Sequence, residues 1–312
     1  MNHKLRYEYE PIAFKHKLES VGDVAVDSLG HIHAAVNGEI PIEVFNQQGK
    51  FLYAWGKGDV VEAHGLYIDR NDCCYVADSK LHTVMKFSPE HRLMLELGNR
   101  GKPSDTGVIN GNFKTIRHGG APFNVPSKVT ASPNGEIFVC DGYGNARGHR
   151  FSADGVLLKS WGEPGSGAGE FHIPHGVGVD EQGRVYVADR ENDRVQVFDT
   201  EGKLLSIWND ISRPDGLCVR DGKVYVAELG HLMYVDNVLY TPKEDDQWSR
   251  MRVFDTEGHE LARFGTAEGW REGNLFAAHG VNLDRHGNLY IAETGWPDSE
   301  RSRPEALHGA LQ

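Results

Sequence analysis

The 312-residue sequence has little of several features, and each shortage excludes a class of protein. Basic residues are outnumbered, with 33 Lys and Arg against 45 Asp and Glu, which gives a formal net charge of −12. Nucleic acids and anionic membrane surfaces are bound by basic patches, so we expect neither as a partner. No apolar run has the length of a membrane-spanning helix, and the first residues lack the hydrophobic stretch of a secretion signal.

Cysteine is scarce, and long helical patterns are missing. The four cysteines show neither a disulfide framework nor the paired spacing of a zinc site: Cys73, Cys74, Cys140 and Cys218. Reduced structural thiols are typical of the cytoplasm, and we expect the protein there. No long segment carries apolar residues at helical spacing, which excludes a helical fold.

The chain does contain an internal repeat of about 40 residues. Its clearest copy, residues 173–208, reads as four short strands separated by polar and Gly-containing turns. Similar copies begin near residues 21, 61, 125, 213 and 277. Four strands per repeat predict an all-β fold, a six-bladed β-propeller in which residues 1–312 form a single domain. We expect the strand-like segment 6–10 to join the last blade and close the ring.

Three histidines hold the same position in alternate copies of the repeat, and each precedes a glycine and an apolar strand: His64, His175 and His279. In a ring of six, every second position lies a third of a turn from the next, so the three imidazoles would converge on the axis. Three imidazoles with one open coordination position are the ligand set of a catalytic metal. Zinc suits them best, although iron, cobalt or manganese would also fit.

The other copies place different residues at the histidine position: Gly22, Ser127 and Asp215. Asp215 is either a polar partner that binds substrate or an acid that lines the channel. Glu228 ends the second strand of the fifth copy, and Asn37 ends that of the first. Both strand ends would face the same side of the ring as the histidines, so we include these residues as candidate substrate contacts.

Two residues depart from the repeat pattern in the loops on this face. Tyr143 lies in a loop that is one residue longer than its counterpart, and Arg190 is an additional cation. A phenol near a metal can act as a general base where cations lower its pKa, and a guanidinium can pair with a carboxylate. The same loops carry recurring pairs that indicate structural ion pairs: Asp141 with Arg147, and Asp189 with Arg194.

Strand direction decides which connections share the histidine face. Each histidine precedes its innermost strand, so the loops after the second strands return to the same face. Two long connections, residues 99–124 and 229–248, belong there, and we expect them to cover the metal. Arg117, in the first of these connections, is a further candidate substrate contact.

The segment Val-Ala-Asp-Arg-Glu-Asn-Asp-Arg around Arg190 resembles an NHL repeat, and the chain resembles the peptidyl-α-hydroxyglycine α-amidating lyases. The similarity is most specific in four segments: 64–82, 141–147, 174–192 and 278–279. The resemblance implies that the three histidines bind zinc, that Tyr143 is the base and that Arg190 lies at the active site. Enzymes of this family split an N-acyl carbinolamine acid into an amide and glyoxylate.

The chain also departs from that family around the site. Asn37 stands where the family has a catalytic arginine, and Gly280 where it has an aspartate ligand of a structural calcium. Gly144 replaces a disulfide cysteine, in agreement with a reducing compartment. The resemblance therefore supports binding of the catalytic metal well, but it supports a structural calcium and a peptide substrate poorly.

Three functions remain open at this point. The first is a metal-dependent lyase that cleaves a small anionic carbinolamine-type (2-hydroxy-2-amido) acid to an amide and an oxo acid. The second is a metal-dependent hydrolase or lactonase that activates water at the same three histidines, with Asp215 or Glu228 as the base. The third is a non-enzymatic NHL module that docks a protein partner and binds no metal. The metal and the oligomeric state stay open as well.

Overall fold

The computed structural model describes residues 20–230, 233–235, 238–240, 248–265, 277–294 and 307–311, together with residues 7, 18 and 275. These residues form antiparallel sheets around one axis, with two short 3-10 helices, Phe113–Thr115 and Arg190–Asn192, in the loops. Within these ranges no helix is long and apolar enough to cross a membrane.

Five sheets contain four strands each, ordered from the axis outwards. The first has β1 (Val21–Val26), β2 (Ile32–Val36), β3 (Ile42–Phe45) and β4 (Phe51–Trp55). The second has β5 (Ala63–Ile68), β6 (Cys74–Asp78), β7 (Thr83–Phe87) and β8 (Leu93–Gly98). The third has β9 (Pro126–Ala131), β10 (Ile137–Asp141), β11 (Arg147–Phe151) and β12 (Leu157–Trp161).

The fourth sheet has β13 (Pro174–Val179), β14 (Val185–Asp189), β15 (Arg194–Phe198) and β16 (Leu204–Trp208). After β17 (Pro214–Arg220) and β18 (Lys223–Glu228), the chain forms a separate hairpin of β19 (Met233–Val235) and β20 (Val238–Tyr240). β21 (Arg250–Asp255) and β22 (Glu260–Phe264) then complete the fifth sheet.

The sixth sheet has three strands in the described part of the chain: β23 (Ala278–Leu283), β24 (Leu289–Glu293) and β25 (Leu307–Leu311). The all-β propeller is confirmed, but the predicted set of six blades is corrected: within the described residues five sheets are complete four-stranded blades, and the sixth has three strands. The third strand of the sixth sheet comes from the C-terminal residues. Segment 6–10, expected to close the ring, lies outside the described residues except for Tyr7, whose ring centroid is 5.2 Å from that of Phe264. Closure by that segment stays a prediction.

Apart from the β19–β20 hairpin, the first strand of each described sheet faces the axis. Contacts join β1 to β5, β5 to β9, β9 to β13, β13 to β17, β17 to β23, and β23 back to β1. The six innermost strands therefore surround the axis in chain order, and the second residue of β5, β13 and β23 is in each case a predicted metal ligand.

Aspartate side chains fix the turns on the opposite face. Asp180 Oδ1 accepts hydrogen bonds from the backbone N–H groups of Gln182 (2.9 Å) and Arg184 (2.8 Å), and Oδ2 accepts one from the Tyr186 hydroxyl (2.9 Å). Gly183, at φ +81°, supplies the left-handed turn position. The same Asp–Tyr contact recurs in two other repeats: Asp69–Tyr75 and Asp284–Tyr290. The local sequence thus sets the strand ends.

Apolar side chains fill the space between neighbouring sheets. Between the fourth and fifth sheets, Tyr186, Leu217, Phe254 and Trp208 belong to one buried cluster. Burial of one such side chain contributes roughly 1.5–3 kcal/mol. Each blade is therefore held by its neighbour, which makes the axial ring a rigid support for a site.

Only one of the two predicted loop ion pairs forms. Arg194 Nε donates to Asp189 Oδ2 at 2.7 Å, and both residues are buried. Arg147 instead pairs with Glu163 at 2.6 Å. Asp141 is already engaged by the backbone N–H of the last residue of the 99–124 connection, so this loop changes the pairing in the third repeat.

We expect Arg194→Met to lower the free energy of unfolding by about 3–5 kcal/mol, because it leaves the Asp189 carboxylate buried without its cation. Arg194 also donates to three backbone carbonyls, which would lose their partner. Arg263→Met is the control: this residue pairs with Glu260 at a largely exposed site, and less than about 1 kcal/mol should be lost. Urea denaturation measures both, and equal losses would contradict the structural role of Arg194.

Candidate metal centre

The three histidines meet on the axis. Their ring centroids are 5.1 Å apart for His64–His175 and His64–His279, and 4.7 Å apart for His175–His279. One nitrogen from each ring can be chosen so that all three lie within 4.8 Å of one another. The prediction that alternate repeats bring three imidazoles together is therefore met by the geometry.

Each histidine makes the same hydrogen bond to the next sheet. The Nδ1 atoms of His64 and His175 lie 2.8 Å from Ser127 O and 3.1 Å from Asp215 O, and that of His279 contacts Gly22 O. A carbonyl oxygen only accepts, so each Nδ1 carries the proton. The Nε2 atoms are then left with a lone pair, which is the tautomer that binds a metal.

The glycine after each histidine allows this hydrogen bond. A Cβ atom on Gly65 would lie 2.5 Å from Ser127 O, and one on Gly176 would lie 2.5 Å from Asp215 O. These are the oxygens that accept the histidine protons. The His-Gly pair of the repeat therefore brings neighbouring innermost strands close enough for the imidazole to reach the next backbone.

Burial keeps at least two of the imidazoles neutral. It lowers the pKa of His64 well below the usual value, and the neighbouring His175 and His279 add to this effect. It also lowers the pKa of His175 to about 4, against the opposing influence of the Asp215 carboxylate. Neutral imidazoles with a fixed tautomer fit a transition metal such as zinc.

Tyr143 lies directly beside the histidine nitrogens. Its hydroxyl is 3.1 Å from His64 Nε2 and 2.8 Å from His175 Nε2. Two flanking glycines press the loop against its surroundings: a Cβ atom would lie 2.2 Å from Pro174 O at Gly142, and 2.1 Å from an Asn124 side-chain oxygen at Gly144. Burial raises the pKa of Tyr143 to about 12, although Arg190 opposes the shift.

Arg190 joins this cluster through a chain of alternating charges. Its Nη1 is 3.3 Å from both the Tyr143 hydroxyl and Asp215 Oδ1, and its Nε donates to Glu191 at 3.0 Å. Arg213 Nη2 donates to the same Glu191 oxygen at 2.8 Å. The guanidinium of Arg190 is thus held in place on two sides and faces the tyrosine.

Asp215 is fully buried next to two of the histidines. Its Oδ1 lies 2.7 Å from His175 Nδ1, and its Oδ2 lies 3.7 Å from His279 Nε2. Burial acts to raise the pKa of Asp215, but the two histidines and Arg190 together hold it below the usual range. The carboxylate is therefore ionised at neutral pH and turned towards the centre.

The remaining sequence candidates lie apart from this cluster. Glu228 pairs with Arg250 and Arg252 within the fifth sheet, which engages both carboxylate oxygens. Asn37 is exposed just after β2, and Arg117 is exposed in the 99–124 connection. Among the described residues, none of the three forms a hydrogen bond or ion pair with a predicted metal ligand.

The 99–124 connection packs next to the tyrosine loop. Thr106 Oγ1 donates to Gly144 O at 2.6 Å, and Gly120 N donates to Asn145 Oδ1 at 2.9 Å. It therefore lies at the histidine face, as strand direction predicts. Of the second connection, 229–248, most residues lie outside the described ones.

Below the histidines, a lysine occupies the interior. Lys128 Nζ donates to Asp23 and to Leu66 O (2.9 Å), and both charged residues are buried. Gly280 packs against Asp23, since a Cβ atom there would lie 2.3 Å from Asp23 Oδ1. This internal cation gives the buried Asp23 carboxylate a partner of opposite charge.

Sequence reasoning missed two parts of the centre. It named no acceptor for the Nδ1 protons of the three histidines, because every residue has a backbone carbonyl and the amino-acid sequence does not show which one accepts. It also missed the Glu191–Arg213 pair that holds Arg190. The strand register contains one signal that could have identified the partner of Glu228. Arg250 is aligned with Glu228 on the neighbouring strand, as Arg194 is aligned with Asp189.

Comparisons with known proteins agree with the repeat. The NHL repeat family matches residues 171–198. The mouse NHL repeat-containing protein 3 is 34% identical over 236 residues, which cover 70% of this chain and 65% of that protein. The peptidyl-α-hydroxyglycine α-amidating lyase 1 of Drosophila melanogaster is 37% identical over 159 residues, 48% of this chain and 27% of that protein. The chain thus spans less than two thirds of either relative.

A solved structure of similar fold is the Xanthomonas campestris gluconolactonase, with a TM-score of 0.62 and 12% identity. The alignment covers 99% of this chain and 97% of that one. At this identity the likeness concerns the fold alone. The chain therefore carries an NHL repeat on a propeller and is similar in sequence to the amidating lyases, as its motifs predict.

We expect Gly176→Ala to weaken zinc binding by roughly 10-fold or more, because the new methyl group displaces the carbonyl that orients His175. Gly38→Ala is the matched control, since its Cβ would lie 3.6 Å from the nearest atom. Competition with a chromophoric chelator measures both dissociation constants. Equal affinities in the two variants would show that the carbonyl contact does not orient the ligand.

The pKa of His175 predicts a pH dependence for the metal-free protein. The unfolded residue has a pKa near 6.5, whereas burial lowers the native pKa to about 4. Between these values the unfolded state binds a proton that the native state does not. Acidification from pH 6.5 therefore destabilises the fold, by up to about 1.4 kcal/mol per pH unit for this group.

His175→Gln should accordingly flatten the dependence of unfolding free energy on pH between about 5 and 6.5. His259→Gln, at a side chain that is 78% exposed, should keep the wild-type slope. Urea denaturation at several pH values measures the slopes. A His175→Gln slope equal to that of the control would contradict the depressed pKa.

Proposed function

We propose that the protein is a metal-dependent lyase that cleaves a small carbinolamine-type (2-hydroxy-2-amido) acid to an amide and an oxo acid. One observation carries the proposal. The Tyr143 hydroxyl lies 3.1 Å and 2.8 Å from two histidine Nε2 atoms and 3.3 Å from Arg190 Nη1. A base and a cation thus adjoin a three-histidine centre, an arrangement that suits proton removal from an anionic substrate.

His64, His175 and His279 would hold the metal through their Nε2 atoms, with zinc as the proposed ion and iron, cobalt or manganese as alternatives. When bound, a divalent ion supplies Lewis acidity that lowers the pKa of nearby hydroxyl groups. The orientation of the ligands comes from the Nδ1–H groups, which bond to the backbone of the next sheet.

Tyr143 would move the proton. As phenolate it takes the proton of the substrate's C2 hydroxyl while the C2–N bond breaks, and the electron pair of that bond goes to the nitrogen. The proton then passes to the nitrogen, which leaves an amide and an oxo acid. Arg190 favours the phenolate form electrostatically, in opposition to the burial that raises the pKa of Tyr143.

Arg190 would also bind the substrate carboxylate. Its contacts with Asp215 and Glu191 fix the guanidinium before substrate arrives, so little side-chain freedom is lost on binding. Exposed Asn37 and Arg117 remain proposed contacts for the rest of the substrate. The four cysteines are free thiols, which supports a reducing compartment, and we propose the cytoplasm.

A second candidate is a hydrolase or lactonase that activates water at the same three histidines. The raised pKa of Tyr143, about 12, favours it, because a protonated tyrosine would donate a hydrogen bond to a developing oxyanion. In the lyase the same residue must accept a proton. The role of Tyr143 therefore separates the two reactions.

The first test is elemental analysis of protein purified without a histidine tag. We expect close to one equivalent of a transition metal, and less in His64→Ala. Less than about a tenth of an equivalent would overturn both metal-dependent reactions. A non-enzymatic module that binds a protein partner would then be the remaining function for the repeat.

The second test is the rate of oxo acid release from N-acyl-2-hydroxyglycines. We expect Tyr143→Phe to lose at least about 100-fold in kcat/KM with its metal retained, since the proton acceptor is gone. Tyr53→Phe, on the exposed outer strand β4, should keep the wild-type rate. A full rate of oxo acid release in Tyr143→Phe would exclude the lyase mechanism. Lactone hydrolysis by the wild-type protein that is weakened in Tyr143→Phe would favour the second candidate.

A further inference from the structure

Asp215 occupies the histidine position of the fifth repeat. It is the second residue of β17, as His64, His175 and His279 are the second residues of β5, β13 and β23. Its backbone carbonyl accepts the proton of His175 Nδ1, so the strand already forms part of the centre. The side chain is fully buried on the same ring.

The two carboxylate oxygens of Asp215 have different surroundings. Oδ1 lies 2.7 Å from His175 Nδ1 and 3.3 Å from Arg190 Nη1. Oδ2 is buried and has no hydrogen-bond partner among the described residues. A carboxylate oxygen that is buried without a hydrogen-bond partner is costly, because it has lost its water and gained nothing in exchange. A cation next to Oδ2 would remove that cost.

We propose that Asp215 is a fourth protein ligand of the metal, bound through Oδ2. This inference rests on the metal centre of the proposed function. Two donor atoms about 2.1 Å from one zinc ion lie roughly 3.4 Å apart in a tetrahedral site. Asp215 Oδ2 lies 3.7 Å from His279 Nε2, so one ion can contact both of these atoms.

Neighbouring groups hold the carboxylate in this orientation. Arg190 and His175 contact Oδ1, which leaves Oδ2 as the oxygen turned towards His279. A ligand set of three imidazoles and one carboxylate neutralises part of the charge of a divalent ion and adds a hard oxygen donor. Substrate would then bind by raising the coordination number or by displacing Asp215.

Cobalt binding to Asp215 variants tests the proposal without any substrate. Metal-free protein is titrated with Co(II) in competition with a chromophoric chelator, and its absorption spectrum is recorded. Asp215→Asn should weaken Co(II) binding by more than about 10-fold and shift the visible bands, because an anionic donor is lost. Asp180→Asn, which removes a buried carboxylate on the opposite face, should bind as the wild type does.

Affinity alone does not separate a ligand from a neighbour of a ligand, so a cysteine provides the decisive readout. In Asp215→Cys the thiolate should bond to Co(II) and give a near-ultraviolet charge-transfer band that wild type and Asp215→Ser lack. A Co(II)-loaded Asp215→Cys protein without this band would overturn the proposal. If that variant does not fold, the visible bands of Asp215→Asn decide: unchanged bands overturn the proposal, and shifted bands support it.

Different results would overturn the proposed function and the proposed role of Asp215. Wild-type protein that binds neither Co(II) nor zinc would overturn the proposed function itself. Wild-type protein that binds one equivalent, together with Asp215 variants of wild-type affinity and spectrum, would overturn only the role of Asp215.

Discussion

The centre depends on one repeated interaction, the hydrogen bond from a histidine Nδ1 to the backbone carbonyl of the neighbouring innermost strand. It connects β5 to β9, β13 to β17, and β23 to β1. The bond fixes the tautomer, the direction of the Nε2 lone pair and the spacing between blades. The glycine after each histidine is part of the same constraint, because any side chain there would collide with the neighbouring strand.

Around this ring, several buried and half-buried side chains form pairs of opposite charge. Asp215, Arg190, Glu191 and Arg213 alternate along one side, and Lys128 with Asp23 occupies the interior below. Such pairs add little net stability, but they hold side chains in one geometry. The tyrosine therefore faces a fixed cation, and the histidines face a fixed anion, before any ligand binds.

The repeat alone predicts the propeller, the three histidines and the position of Tyr143 and Arg190, because a four-strand period fixes which residues share a face. It does not predict the pairing of Arg147 with Glu163, since that depends on how a long loop packs. Nor does residue identity reveal the carbonyl acceptors or the engagement of Glu228 by two arginines. The period of the repeat predicts the topology of the fold. Individual contacts depend on three-dimensional packing, which the residues of one short segment do not determine.

The hydrogen bond between His279 and Gly22 joins residues that are 257 positions apart. No segment of the propeller therefore contains a complete centre, and no subset of blades can orient all three imidazoles. During synthesis, His64 and His175 would emerge with their own carbonyl partners well before the last innermost strand docks on the first. Coordination of one ion by all three imidazoles would require that docking, so the same contact that closes the ring of innermost strands also completes the candidate centre.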